Sequence, residues 1–487
     1  MAAKVLLLQP PLVHSSRYGV SLFPLGLAYV AANLRKEHCH VSILDCFLEN
    51  RTQSVKLENG LNRIGLSDKE IYDRIKTFQP DAVGISIPFS MQHQPAVHLA
   101  DIVRKTLPKI PIVAGGAHVS AAPESLNESE FDYLIIGEGE KVFPELIRYL
   151  GRGKKYDPSL PGVFYRDRNH DFTNELPNRL ISKLDSLPFP AYDLIPLRKA
   201  WARRVPYANV IATRGCPYNC NFCSIHSTMG KILRKRSVEN IIGEITLLYH
   251  KYGVREIFFE DDNLTSDMTW AKELFYSLSQ QRIDIEIGVR NGIRADRVDK
   301  ELLNLMKIAG CSRICFAPES GNQQTLDKII DKRLKLEEIE NAVMLARSTG
   351  LNVTCFFVIG LPGETKEDIQ NTIKFAKHLR ELGCDSVDIN CATPYPGTRL
   401  YAECIKLGYI KENIDYSQLH TGIATVSTLE FSAAEVTSLR IQALKELNEN
   451  INERMNRLAR AFVQKPRLFA KRKLRRYYHL LKRNAVV

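Results

Sequence analysis

Three thiols stand within eight residues, Cys216-Pro-Tyr-Asn-Cys220-Asn-Phe-Cys223, in the spacing C-x3-C-x2-C. They follow the apolar, strand-like run from Tyr207 to Thr213. A four-iron four-sulfur (4Fe-4S) cluster is usually held by four cysteine thiolates. Three ligands with no obvious fourth predict a cluster that leaves one iron open to a small molecule, which turns an electron carrier into a reaction centre. Two other readings stand beside this one. Zinc is the first, because His226 follows Cys223 by three residues and would complete a Cys3His site. Three unligated cysteines acting as small apolar residues is the second.

The elements that must position this loop recur in order. Strand patterns at 210–214, 256–261, 284–290, 313–319, 352–359 and 386–392 alternate with helical segments. Those segments end at Gly253, Gly310, Gly350 and Gly383, the residue type that most readily takes the turn closing a helix. Six strands with six helices predict a (β/α)6 partial TIM barrel over 206–410. Strand parity adds a further point, since successive residues face opposite sides. Asp284, Glu286, Gly288 and Arg290 share one face, as do Arg313, Cys315 and Glu319, and as do Asp388 and Asn390. Packed barrels are normally apolar inside. A polar interior predicts a cavity that holds a polar cofactor and a substrate, with Arg290 and Glu319 aimed into it. Cys355 and Cys391 fall on the apolar parity and read as core, while Cys315 falls on the polar one.

Short motifs close the strands on the carboxyl side, the catalytic face of barrels. They are Glu260-Asp261-Asp262-Asn263, Glu319-Ser320-Gly321, Gly360-Leu-Pro-Gly363-Glu364-Thr365 and Pro394-Tyr-Pro-Gly397-Thr398. Each alone is also an ordinary turn. Their order, the cysteine spacing and Phe222 before the third cysteine resemble the radical S-adenosylmethionine (radical SAM) family. The resemblance implies that the open iron chelates the amino and carboxylate groups of the methionine moiety, and that an electron cleaves the sulfonium to a 5′-deoxyadenosyl radical. It further implies that Glu260 and Asp261 receive the ammonium, that Glu319 and Ser320 lie near the ribose and carboxylate, and that Gly360 and Gly363 let the backbone approach the adenosine. An electron donor such as flavodoxin or ferredoxin is implied as well.

Residues 1–150 alternate strand patterns, at 4–9, 41–45, 81–87, 111–115 and 132–137, with helical ones. That alternation predicts a doubly wound, Rossmann-like parallel sheet with its ligand at the carboxyl strand ends. Ser86-Ile87-Pro88 and Gly115-Gly116-Ala117-His118 mark two of those ends. With Pro24-Leu-Gly-Leu-Ala-Tyr29 and Gly137-Glu138-Gly139-Glu140, this half resembles the cobalamin-binding domain found ahead of many radical SAM domains. The resemblance implies cobalamin near Ser86, Gly115, Gly116 and Gly137. The D-x-H-x-x-G motif, whose histidine ligates cobalt elsewhere, is absent, so cobalamin is expected without a histidine on its lower face. A Rossmann-like domain without a corrinoid is the alternative. Residues 151–205 are proline-rich and read as a connector, with a short hairpin around 163–172.

Composition narrows the remaining classes. The chain has 487 residues, 44% of them hydrophobic, too long for one typical domain. Neither a membrane-spanning run nor a signal-peptide pattern is present. Eleven cysteines without regular pairing do not form a disulfide framework and fit a reducing cytoplasm. The net charge of +12 has one origin. Twelve Lys and Arg and no acid occur from Arg454 onward, and removing them from 67 basic residues leaves 55 against 55 acidic ones. This basic tail of the helical 411–487 region also carries Leu, Phe and Tyr, a mixture suited to an anionic membrane surface at the inner face. A solvated helix and a nucleic-acid grip are the alternatives, nucleic acid the less favoured. The expected function is cobalamin-dependent radical SAM catalysis on a small-molecule or lipid substrate, with hydrogen abstraction from an unactivated carbon and methyl transfer. Ring formation or rearrangement with the same cofactors is the second reading. A zinc or iron–sulfur nucleic-acid-binding protein is the rival from another class.

Overall fold

A computed structural model describes residues 2–14, 23–57, 60–151, 160–166, 172–173, 180–201, 205–411 and 414–448. The basic tail from Arg454 lies outside these residues. In the first sheet Lys4–Gln9 pairs with His40–Asp45 on one side and Ala82–Ser86 on the other, and Ile112–Gly115 and Tyr133–Ile135 follow. All five are parallel, as strands buried on both faces usually are. Strand order reverses at Lys4–Gln9, which opens a crevice beyond Gln9 and Ser86. The 163–172 hairpin forms, but not as part of a free connector. Val163–Arg166 pairs antiparallel with Tyr133–Ile135 and Phe172–Thr173 adds outside it, covering an edge that would otherwise be open. The first sheet therefore extends past residue 150.

Six parallel strands follow in chain order: Tyr207–Val210, Glu256–Phe259, Glu286–Val289, Cys311–Glu319, Asn352–Ile359 and Ser386–Cys391. Ser237, Asp267, Asp299 and Thr365 each cap the next helix by accepting a backbone N–H, which sets where the chain turns back. The polar interior is present. Ile257, Ile287, Ile314, Val353 and Ile389 are fully buried on the outer face, whereas Arg290 and Asp388 stay exposed inside. Cys355 and Cys391 are core, and Cys315 is nearly so at 5% exposure.

Parity fails in one strand. Phe316 pairs with Cys355 and Glu319 with Phe357, so Ala317 and Pro318 together stand opposite Phe356. This bulge moves Glu319 to the side of Phe357, whose ring meets Phe375 of the helix Lys366–Glu381, and Glu319 itself adopts φ 71°. One apolar core runs from the first sheet through Ile181, Leu184 and Tyr192 into the barrel, so the two domains are packed as one body. No described helix is long and apolar enough to cross a membrane.

Candidate functional site

The cysteine loop hangs from a short antiparallel pair, Thr213–Arg214 with Arg234–Lys235, and is pinned along its length. Cys216 N–H donates to Gly230 O at 3.2 Å, Asn221 N–H to Ile330 O at 2.9 Å, and Leu400 N–H to Asn221 O at 3.0 Å. Tyr218 lies under the Arg294 guanidinium at 3.8 Å and accepts from Arg297 Nε at 2.9 Å. All three thiols are free, and Cys223 is the most accessible. Burial raises their pKa values, that of Cys223 to about 12, while the Lys332 ammonium works against burial at Cys216 and Cys220. His226 Nε2 is engaged with Cys216 O at 2.9 Å, which removes one of its two nitrogens from any zinc site. Among the described residues no three Cys, His, Asp or Glu side chains gather as they would around a single ion. A cube binds each thiolate to a different iron and needs no such gathering.

The residues expected around the thiols divide into two groups. Glu260, Arg290 and Phe222 remain at least partly accessible. Glu260 is half-buried, and burial, opposed by Arg290, raises it to about 6. Arg290 lies 3.1 Å over the Phe258 ring and has no carboxylate within ion-pair distance among the described residues. Phe222 is half-buried at the rim of the core. The second group is engaged by the protein's own groups. Both oxygens of Asp261 are taken by Ala212 N–H at 3.1 and 3.2 Å, and one also accepts from the Thr213 hydroxyl at 2.7 Å, so this residue binds the first barrel strand to the second. Ser320 is fully buried against Thr372 at 3.0 Å. Glu319 pairs with Lys332 at 3.1 Å beside Cys220, following its bulge. A Cβ at Gly360 would come within 2.8 Å of Val436, and one at Gly363 within 3.3 Å of Ile329, so both glycines admit neighbouring protein.

Three further residues near the thiols are not among those the sequence singles out as site residues, Asp262 although it lies in the Glu260–Asn263 motif, and Lys332 and Arg294 outside any motif. Asp262 keeps an exposed surface, acts electrostatically on Cys216 and Cys223, and is raised to about 7 by desolvation among the atoms crowded around it. Lys332 and Arg294 are nearly buried beside Cys220, Arg294 donating to Lys332 O at 3.0 Å. A charged Asp331-Lys332-Arg333 run after a π-helical turn was the available signal.

On the first sheet, a Cβ at Gly115 would make only ordinary contact, the nearest atoms being Ile135 Cβ at 3.8 Å and Ile135 O at 3.9 Å, so no neighbouring protein group demands a glycine there. Ser86 beside it is half-buried. Gly116 serves another purpose: at φ 119° its missing Cβ would lie 2.7 Å from Ile87 O. Gly137, at φ 80°, donates to Ser120 Oγ at 2.8 Å. His118 is buried with Nδ1 on Ser90 Oγ and Nε2 on Ser125 Oγ, both at 3.1 Å, and its ring meets those of His93 and Tyr416. Both ring nitrogens are thus engaged by serine hydroxyls.

A radical SAM superfamily profile matches residues 210–376, and a B12-binding domain profile matches residues 13–147. An uncharacterized methyltransferase of Pyrococcus horikoshii is 36% identical over 406 residues, 82% of this chain and 83% of that protein. The chain belongs to the cobalamin-binding radical SAM family. Cytidylyl-2-hydroxyethylphosphonate methyltransferase of Streptomyces wedmorensis is 33% identical over 468 residues, 88% of this chain and 86% of that protein. The fold matches that of the radical SAM methyltransferase TsrM of Kitasatospora setae, with TM-score 0.66 and 17% identity over 83% of this chain and 77% of that one. As a family member the protein is a methyltransferase-type enzyme whose cofactors are a 4Fe-4S cluster, SAM and cobalamin, and whose electron comes from an external reductant.

Proposed function

We propose that this radical SAM enzyme methylates an unactivated carbon of a small molecule or lipid that carries an anionic group. The observation that carries the reading is the meeting of two carboxyl strand edges. Ala117–Ala121 of the first domain packs against Ile225–Thr228, just beyond the cysteines, and Gly397 at the sixth strand end sits within 3.0 Å of both Ala121 and Ser227, measured from where its Cβ would be. A substrate in the barrel mouth is then within reach of both cofactors.

When bound, the cluster and SAM supply a 5′-deoxyadenosyl radical and cobalamin supplies the methyl group. Cys216, Cys220 and Cys223 hold the cluster as thiolates, so loading it releases protons. Lys332 stabilises the Cys220 thiolate. Glu260 and Asp262 accept from the methionine ammonium, whose charge offsets their burial and favours their ionised forms. Arg290 is joined on the interior face by Arg313, and this pair suits a carboxylate or phosphate of the bound molecules. Gly115 admits the corrin tail beside the backbone. The mixed basic and apolar tail supports contact with an anionic inner membrane surface and hence a lipid substrate. Flavodoxin or ferredoxin suits the electron supply, in a cytoplasmic setting.

The test uses anaerobically reconstituted full-length protein with excess reductant and methyl-deuterated SAM. Methyl transfer through cobalt requires both 5′-deoxyadenosine and S-adenosylhomocysteine as products. 5′-Deoxyadenosine alone, from protein that retains corrinoid, favours the ring-forming or rearranging reading. Sedimentation with anionic vesicles that is unchanged when residues 454–487 are removed ends the lipid reading.

A further inference from the structure

Glu138 and Glu140 occupy the glycine-flanked run beyond Tyr133–Ile135, at the carboxyl edge of the first sheet. Both side chains turn instead to the barrel. The Glu138 side chain is 2% exposed and accepts from Arg214 Nη1 at 2.9 Å, Arg234 Nη1 at 2.6 Å and the Ile181 N–H at 2.6 Å. Glu140 accepts from Arg214 Nη2 at 2.7 Å. Arg214 and Arg234 face each other in the short strand pair, and Arg214 precedes Cys216 by two residues. One carboxylate thus joins the first domain, the connector and both strands from which the cysteine loop hangs. A second buried set lies beside it. Arg236 pairs with Glu244, Tyr192 donates to Glu244 at 2.5 Å, and Arg236 donates to the Tyr29 hydroxyl at 3.3 Å. Tyr29 ends the other motif that marks the first domain. A planar guanidinium fork shared between two carboxylates admits one relative placement and resists a graded range of them.

Resting on the methyl-transfer reading, we propose that Glu138 is a positioning residue. Through Arg214 and Arg234 it fixes the distance between the cobalamin face and the cysteine loop, while touching no cofactor. Without it the cluster still assembles and SAM is still cleaved, but methyl donor and radical target no longer share one register.

The full chain carrying Glu138→Ala, Glu138→Gln or Glu140→Gln tests this. In cofactor-free protein, amide hydrogen exchange at residues 212–216 and 137–140 should quicken at least tenfold for Glu138→Ala. Glu140→Gln should show less, because Glu140 holds only one guanidinium arm. In protein loaded with cluster and cobalamin, the dipolar coupling between reduced cluster and cob(II)alamin should give one narrow distance in wild type and a broad distribution in Glu138→Ala. Iron content, corrinoid content and 5′-deoxyadenosine formation should stay within twofold. An unchanged narrow distance, or SAM cleavage that falls as far as the coupling does, overturns the proposal. If Glu138→Ala does not fold, the isosteric Glu138→Gln is judged by the same measurements. Wild-type protein that retains no corrinoid would defeat the methyl-transfer reading, and the exchange data would still decide the proposal: unchanged exchange in Glu138→Ala overturns it.

Discussion

The carboxyl edges of the two sheets are both marked by motifs, yet those motifs do different work. Beyond the barrel strands, Cys216, Cys220, Cys223, Glu260 and Asp262 all keep part of their surface accessible, and backbone bonds to neighbouring segments hold the cysteine loop in place. Beyond the strands of the first sheet, Gly116 packs on Ile87, His118 is closed between two serines, and Glu138 and Tyr29 reach across to the barrel. On the proposed reading the barrel would grip its cluster with side chains, whereas the first domain would meet a corrinoid with little but backbone near Gly115 and uses Glu138 and Tyr29 to hold its neighbour. A cluster with three protein ligands demands placed donors, whereas a corrinoid bound without a protein ligand to cobalt would demand mainly room.

That contrast breaks first at the thiols. Alanine at Cys216, Cys220 or Cys223 should abolish iron binding and 5′-deoxyadenosine formation, while His226→Ala should retain both, as read by iron analysis and product chromatography. Next in size is the buried pair beside Cys220. Glu319→Gln or Lys332→Met alone should cost about 3–5 kcal/mol in denaturant unfolding, since each strands a buried charge, and the double variant should cost less than the sum of the two. The two adjacent acids sharpen the comparison further. Asp262→Asn should weaken SAM binding about tenfold, or about 1.4 kcal/mol, with stability unchanged. Asp261→Asn should instead lower stability by about 2 kcal/mol and leave affinity alone. An effect absent at neutral pH and felt only on acidification is at His118, whose pKa burial, then His93, lowers to about 3. An unfolded histidine titrates near 6.5, so below that pH the unfolded chain binds the extra proton and stability falls as pH drops toward 3. The slope approaches about 1.4 kcal/mol per pH unit and should flatten in His118→Gln. In cob(II)alamin spectra, His118→Ala should change no nitrogen superhyperfine splitting, because none should be present.

Much of this was legible in the sequence because alternation and spacing are local. The strands, the helix-closing glycines, the cysteine loop and the polar interior at Arg290 and Asp388 all follow from periods of two and 3.6. What was not legible depends on register and on distant partners. Glu319 needed the bulge at Ala317 and Pro318, which shifts parity by one. Asp261 and Asp262 are chemically identical neighbours, and only the position of Ala212 and Thr213 decides which one is consumed. Gly360 reads as a ligand-facing glycine until Val436, some 76 positions later, is found against it. Lys332 lies in a charged run that looks like any solvated loop.

Among the described residues the sixth barrel strand, Ser386–Cys391, has no strand beyond it, and later residues complete its pairing. The Asn448 side-chain amide accepts from Val387 N–H at 3.2 Å and donates to Val387 O at 3.0 Å, Arg440 Nε donates to Ile389 O at 2.6 Å, and Thr421 O accepts from Cys391 N–H at 2.8 Å. Three successive outward-facing positions are thereby sealed without a seventh strand. An unsealed edge is a template on which a second molecule can add its own strand. Asn448, Arg440 and Thr421 share that covering role, so the residues after the barrel act as a plug on its last strand: Asn448→Ala, which removes one of the three, should raise self-association as read by sedimentation velocity.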